Sequence, residues 1–509
     1  MGGSASPTGA KIGHDIMTVI DERVSSETRK AIEHDIFGHV IEGERVGALD
    51  GATLDIVDPS TGAVIARAAA GSGDDVDRAA RSARAAFEDG RWRNQPPMAK
   101  EKVLRNMAAL VAERGELFAE IDVLDAGLLR SYTGFIVQFA VDGIEYFSGW
   151  PSKLQGSIPA VPREFNVSQV REPIGVVGLI MPWNGPTAVF AFVAAALAAG
   201  NSVILKPAEQ TPMSAVLMAE LAMDAGLPPG VFNVVQGTGR DVGQALVEHP
   251  EVDAISFTGS VATGSAIQAA AAKRVKRVAL ELGGKSPFIV FPDADLDAAA
   301  AASMFAVWGA SGQVCTCGTR TLVHESIYDE WVNRIIDGTK NIKIGPGMDP
   351  TSEMGPVVSA TQLERIKKYV AIGQEEGAEL VLGGHQVGDK GYFHEPTVFT
   401  GVNNGMRIAQ EEIFGPVMGI LPFSSEEDAY RIANDVSYGL AAGVWTNDLN
   451  RSQRAARALK AGTVWINTYQ MVYPSVPYGG VKLSGHGRSL GATSIEELTT
   501  VKSVWTAVR

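Results

Sequence analysis

From Ile174 to Leu282 the chain alternates short apolar runs with helix-patterned segments, and this alternation constrains its fold more than any other feature. Residues 174–181 read as a buried strand, 188–199 as a helix closed by Gly200, and 202–205 as the next strand. Residues 212–225 follow as a helix, with Pro212 in its first turn and Gly226 past its end. A strand at 231–235, a helix at 241–248, a strand at 254–257, a helix over Val261–Ala272 and a strand at 275–282 complete the run. Short apolar strands joined by helical crossovers predict a parallel sheet covered on both faces, the doubly covered α/β class. Such sheets bind ligands beyond the carboxyl ends of their strands. A second alternation starts at 287–291, passes through a helix after Asp293 and reaches a strand at 319–324, which predicts a second α/β domain. At 509 residues the chain is too long for one ordinary core. Upstream, residues 22–33, 74–87 and 100–124 carry helical patterning.

Composition excludes some partners. Apolar residues make up 45% and charged residues 20%, an ordinary globular balance. A formal charge of −14 argues against nucleic acid or an anionic membrane as the main partner. The two cysteines, Cys315 and Cys317, are too close in sequence for a structural staple, so a reducing compartment, the cytoplasm, is the default. No apolar run of membrane-spanning length and no basic-then-apolar leader is visible. The start Met1-Gly2-Gly3-Ser4-Ala5-Ser6 fits the loose myristoylation pattern, with nothing else to suggest anchoring. No metal site is expected.

Five motifs carry residues suited to chemistry. Phe257-Thr258-Gly259-Ser260-Val261-Ala262-Thr263-Gly264 joins a strand to a helix, whose free N–H groups suit a phosphate; taken alone, such turns are mostly structural. Lys206-Pro207-Ala208-Glu209 lies just past a strand end, where a lysine and a carboxylate suit ribose hydroxyls or form a plain loop ion pair. A carboxylate there favours NAD and repels the extra phosphate of NADP. Glu281-Leu282-Gly283-Gly284-Lys285 puts Glu281 at a strand end, where partial burial would raise its pKa and suit it as a base; a paired loop carboxylate is the plain alternative. Gly312-Gln313-Val314-Cys315-Thr316-Cys317 offers a thiol that is only a few per cent thiolate at neutral pH unless helped; both cysteines could equally be small buried hydrophobes. In Pro182-Trp183-Asn184-Gly185-Pro186 the Asn184 amide suits a developing oxyanion, or caps its own turn.

Together these motifs resemble the aldehyde dehydrogenase superfamily over roughly residues 35 to 509. Glu411-Glu412-Ile413-Phe414-Gly415-Pro416-Val417, Gly462-Thr463-Val464-Trp465-Ile466-Asn467 and Pro477-Tyr478-Gly479-Gly480-Val481-Lys482-Leu483-Ser484-Gly485 extend the likeness. The resemblance implies Cys315 as nucleophile, with Cys317 a bystander. It implies Glu281 as general base and Asn184, with a backbone N–H, as oxyanion donor. It implies that Lys206 and Glu209 hold the adenosine ribose, Gly259 and Ser260 meet the pyrophosphate, Glu412 holds the nicotinamide ribose, and Phe414 and Trp183 line the cofactor side. The implied cofactor is NAD, with NADP disfavoured.

The implied fold has a Rossmann-like cofactor domain (36–154 and 174–283), a second α/β catalytic domain (284–482), and a β-hairpin oligomerisation arm (155–173 and 483–509). Residues 1–35 form an extension. Gln155 to Pro173, with Phe165, Val167 and Val170, would form the hairpin, and an exposed sheet edge of this kind predicts a homodimer or homotetramer. Gly185, Gly309 and Val472 stand where the family often has aromatic residues. With Val189, Phe192, Val314, Thr316 and Tyr478 they imply a wide, mainly apolar pocket for an aromatic, terpenoid or long-chain aldehyde. A semialdehyde or CoA-acylating dehydrogenase, a thiol esterase and a non-catalytic protein of the same fold are the alternatives; Glu281 favours water over coenzyme A as acyl acceptor.

Overall fold

The computed structural model describes residues 20–33 and 36–508. The start pattern at residues 1–6 lies outside them. Of the N-terminal extension, Ser26–Ile32 forms a helix capped by Ser25, whose hydroxyl accepts from the Thr28 N–H and donates to Glu120.

The alternation folds as its pattern predicts. Five parallel strands run in the spatial order Arg277–Leu282, Ala254–Gly259, Val176–Ile180, Ser202–Lys206, Phe232–Val234. Alternate side chains take opposite faces. Val177, Leu179, Val203 and Leu205 pack into one large helix-covered core, while Val176, Ile204, Ile255 and Leu280 pack into a smaller core on the other side. Gly200 and Gly226 end their helices at φ +92° and +99°, a conformation that glycine takes without a Cβ penalty. Antiparallel strands complete the sheet: Gly485–His486 beside Arg277–Leu282, and His39–Ile41 with Glu44–Val46 at the other edge. Strand Val176–Ile180 comes first in the chain among the five parallel strands, and its successors lie on both sides of it. The order therefore reverses between Val176–Ile180 and Ala254–Gly259, and a crevice opens there.

The second sheet has seven strands, ordered Glu379–Leu382, Thr397–Thr400, Val417–Phe423, Arg320–His324, Pro287–Val290, Ala441–Trp445, Thr463–Ile466. All pairs are parallel except the first. Ile289 and Leu322 face one core, Phe288, Val290 and Val323 the other.

Of the two stretches grouped as the arm, 155–173 and 483–509, the first pairs with the C-terminal end of the second. Phe165–Pro173 and Thr499–Ala507 form a two-stranded antiparallel sheet, and only Ser157 bridges back to Gln169. Residues 485–486, grouped with the arm on the sequence, belong to the first sheet. The single helix expected over 100–124 is two, Pro97–Glu113 and Gly115–Ala126. Arg114 leaves the helical region (φ −100°, ψ 24°), so the second helix turns into the core and buries all but its first two residues. Among the described residues no helix is long and apolar enough to cross a membrane.

Candidate active site

The two sheets present opposite ends to one cleft. The first contributes turns after its strands: 181–186 after Val176–Ile180, 207–209 after Ser202–Lys206, and Ser260 after Ala254–Gly259. The second contributes turns before its strands: 283–286, 313–319 and 411–416.

The loop that bears Cys315 follows helix Leu296–Trp308. Ala310 (φ 48°), Ser311 (φ 55°) and Gly312 (φ 72°) are consecutive left-handed residues. The two that are not glycine each cost about 1–2 kcal/mol, so the surroundings must hold them. The Ser311 hydroxyl donates to the Gly355 carbonyl at 2.7 Å. The buried Gln313 amide accepts from the Val358 N–H at 2.9 Å and donates to the Ala310 carbonyl at 3.2 Å. A side chain at Gly312 would run into the Gly415 carbonyl. This loop turns the chain so that Cys315 enters the cleft while Cys317 is buried behind it. The Tyr469 hydroxyl fixes the Thr316 carbonyl at 2.8 Å, and Thr316 itself is buried.

Asn184 reaches this loop from the first domain. Its Nδ2 donates to the Gln313 carbonyl at 2.8 Å. An amide has two N–H groups, and one remains free to donate. Glu281 sits one residue from the end of its strand, 7% exposed, and its Oε2 has no hydrogen-bond partner among the described residues. Burial raises its pKa well above the usual range; Arg488 works against the shift and Glu497 adds to it. Cys315 Sγ lies 3.3 Å from the Tyr478 hydroxyl. Burial pushes the Cys315 thiol up to about 12, against the pull of the Tyr478 bond.

The residues expected at a cofactor lie on the turns that follow strands of the first sheet and on the 411–416 loop before a strand of the second. Lys206 is 2% exposed; its ammonium donates to the Pro207 carbonyl at 2.8 Å and pairs with the half-exposed Glu209 at 3.2 Å. Burial lowers its pKa. Ser260 caps helix Val261–Ala272 by accepting from the Thr263 N–H, and Gly259 abuts the Phe257 ring. Trp183 and Phe414 meet edge to face with centroids 5.2 Å apart. Phe414 has φ +62°, and its loop is held from helix Ala360–Glu375: Gln362 donates to the Phe414 carbonyl and Arg365 to those of Glu412 and Ile413. Glu412 accepts from the Gly284 N–H at 3.0 Å, and burial lifts its pKa to about 7.

Among the residues expected at the substrate, Val314 packs with Ala188, Ala310, Leu128, Ile136 and Tyr132 in a small apolar cluster. Tyr132 and Ile136 come from helix Arg130–Ser148, which the sequence patterning did not single out. A side chain at Gly185 would meet only Ala188, at 3.6 Å, and one at Gly309 only the Phe305 ring, at 3.8 Å, so both glycines leave open space. Phe192 and Val189 pack against the large core of the first domain instead of joining the small cluster, and Val472 is 37% exposed.

The family profile for the aldehyde dehydrogenase family matches residues 48–504. The chain belongs to this family. It is 44% identical over 473 residues to the Arabidopsis thaliana aldehyde dehydrogenase family 2 member B4, mitochondrial, spanning 92% of this chain and 88% of that one. It is 43% identical over 473 residues to the mitochondrial benzaldehyde dehydrogenase of Antirrhinum majus, spanning 92% and 89%. The NAD+ complex of a Bacillus cereus aldehyde dehydrogenase superposes with a TM-score of 0.94 at 40% identity, covering 95% of this chain and 99% of that chain. Betaine aldehyde dehydrogenase from Staphylococcus aureus, solved with NAD+, gives 0.93 at 37%, covering 95% and 97%.

Proposed function

We propose that this aldehyde dehydrogenase oxidises its substrate to the carboxylic acid with NAD, through a thiohemiacetal and then a thioester on Cys315. The hydrogen bond from Asn184 to the Gln313 carbonyl carries the reading. It ties an amide donor on one domain to the loop that bears the thiol on the other, so attack and oxyanion stabilisation share one place. Cys315 adds to the carbonyl carbon, its proton passing to Glu281. Asn184 and a backbone N–H hold the resulting oxyanion. After it has released the Cys315 proton to solvent, Glu281, buried and without a partner at Oε2 among the described residues, takes a proton from the water that cleaves the thioester.

The cleft fits the dinucleotide with which the two solved neighbours are named. Glu209 is open enough to accept from ribose hydroxyls, and Lys206 orients it. The Ser260-capped helix start offers N–H groups to a pyrophosphate. Glu412 and Phe414 lie toward the reacting end. Bound NAD supplies the hydride acceptor. A carboxylate at Glu209 disfavours the extra phosphate of NADP.

The open space at Gly185 and Gly309, and the apolar wall of Val314, Ala188 and Ile136, support a bulky apolar aldehyde. Steady-state kinetics with a panel of aldehydes, each with NAD and NADP, tests this. Aromatic, terpenoid or long-chain aldehydes should give the highest kcat/KM with NAD. Best turnover on acetaldehyde, betaine aldehyde or a charged semialdehyde would sink the substrate reading. Cys315→Ala should lose oxidation about 10³-fold or more. Retained activity would overturn the mechanism. The exposed sheet of Phe165–Pro173 and Thr499–Ala507 supports assembly into a dimer or tetramer.

A further inference from the structure

The Cys315 thiol lacks the help that reactive thiols usually receive. A lowered thiol pKa normally comes from a histidine, lysine or arginine, or from a helix start. The charged and titratable groups acting on Cys315 are different: Tyr478 from the 477–480 turn, Glu412 from the 411–416 loop, and Glu281 from the first sheet. Cys317 of its own loop, Tyr132 of helix Arg130–Ser148 and Tyr469 complete the set. Both carboxyls oppose ionisation of the thiol. Tyr478 is the one side chain among these that favours the thiolate.

Its geometry suits that task. The hydroxyl lies 3.3 Å from Sγ, within range for a bond to sulfur, with no other hydrogen-bond partner among the described residues. A phenol donates far better than a thiol, so the proton lies on oxygen. The ring does not swing freely. Tyr478 and Ser489 exchange both backbone hydrogen bonds, at 2.7 and 2.8 Å, and the ring packs against the large core of the first domain. Burial and the neighbouring thiol and carboxyl push the phenol pKa well above its usual value, so it keeps its proton where the enzyme works. Gly479 follows at φ +154°, and a side chain there would meet Glu281 Oε1 at 2.6 Å. The same turn thus places the donor to the thiol and makes room for the base.

Resting on the reading of Cys315 as nucleophile, we propose that the Tyr478 hydroxyl is a positioning donor that holds the Cys315 sulfur and stabilises its thiolate in both halves of the reaction. In the first half, the thiol proton passes to Glu281 and the sulfur electron pair forms the C–S bond. In the second, the tetrahedral adduct of water collapses, the C–S bond breaks, and its electron pair returns to sulfur. The phenol bonds that sulfur and keeps its own proton throughout.

Tyr478→Phe retains the ring and removes only the donor. In the full-length enzyme, the rate of Cys315 alkylation by iodoacetamide should be followed against pH, with fragment-ion mass spectrometry separating Cys315 from Cys317. The rate–pH curve of the variant should move up by about one unit, or about tenfold slower alkylation at a given pH below the midpoint. In turnover, kcat should fall more than KM rises. An unmoved alkylation curve, or a change in KM alone, overturns the proposal and reduces Tyr478 to a pocket wall. Should the variant not fold, 3-fluorotyrosine at position 478 reads the same bond: its more acidic hydroxyl must shift the curve to lower pH, and an unshifted curve refutes the role. Neither result touches the Cys315 reading, which stands or falls on Cys315→Ala.

Discussion

At the residue scale the site is a convergence of groups that burial holds in check. Burial in the low-dielectric cleft disfavours the charged forms of both Cys315 and Glu281. Asn184 is the polar group already engaged, through Gln313. Asn184→Ala should lower kcat by about 10²–10³-fold, the cost of a lost oxyanion donor. The alkylation rate of Cys315 should stay unchanged; a fall in both would point to a displaced loop. These residues were legible in the sequence because each sits in a short motif at a strand end, where backbone turns expose side chains. Tyr132 was not legible. It lies more than 180 residues before Cys315 on a helix whose apolar spacing announces a core and nothing about a cleft. The bond from Tyr478 was equally hidden: the sequence shows an aromatic residue, and only the turn with Ser489 aims its hydroxyl at sulfur.

At the scale of elements, the crossover helices and parallel strands were readable from period and punctuation, because glycine and proline mark where they stop. The break at Arg114 was not, since both flanking helices have good helical composition and the bend is imposed by what they pack on. The second of these, Gly115–Ala126, anchors the turn that carries Asn184. Asp122 accepts from the Thr187 N–H at 3.2 Å and its hydroxyl at 2.9 Å. Burial raises the Asp122 pKa to about 7, above its unfolded value near 3.8. A group raised in this way contributes stability that is complete below the unfolded pKa and is lost as pH rises through the folded one. Asp122→Asn cannot ionise. Its thermal stability relative to the unmutated chain should therefore improve from pH 5 to pH 8, by up to about 2 kcal/mol. Thermal melts across that range would show a gap that does not change with pH if the carboxyl were already ionised in the fold.

At the scale of the molecule, the two sheets face the cleft with opposite strand ends, and the pairing of Phe165–Pro173 with Thr499–Ala507 closes the chain on itself. That pairing spans more than 300 residues, so no local pattern could report it. The small sheet exposes Phe165, Val170, Val501, Val504 and Trp505, with Trp505 60% exposed and edge to face with Phe165. So much apolar surface on two strands supports the proposed assembly into a dimer or tetramer. Trp505→Glu should shift light-scattering mass toward the monomer while leaving the Cys315 alkylation rate intact. An unchanged mass would remove the arm from the assembly. The protonated thiol has one more consequence, for the lifetime of the molecule. Peroxides attack thiolates, not thiols. The resting Cys315 sulfur should therefore react slowly with hydrogen peroxide, and loss of activity on peroxide treatment that is as fast as for a free thiolate would contradict this.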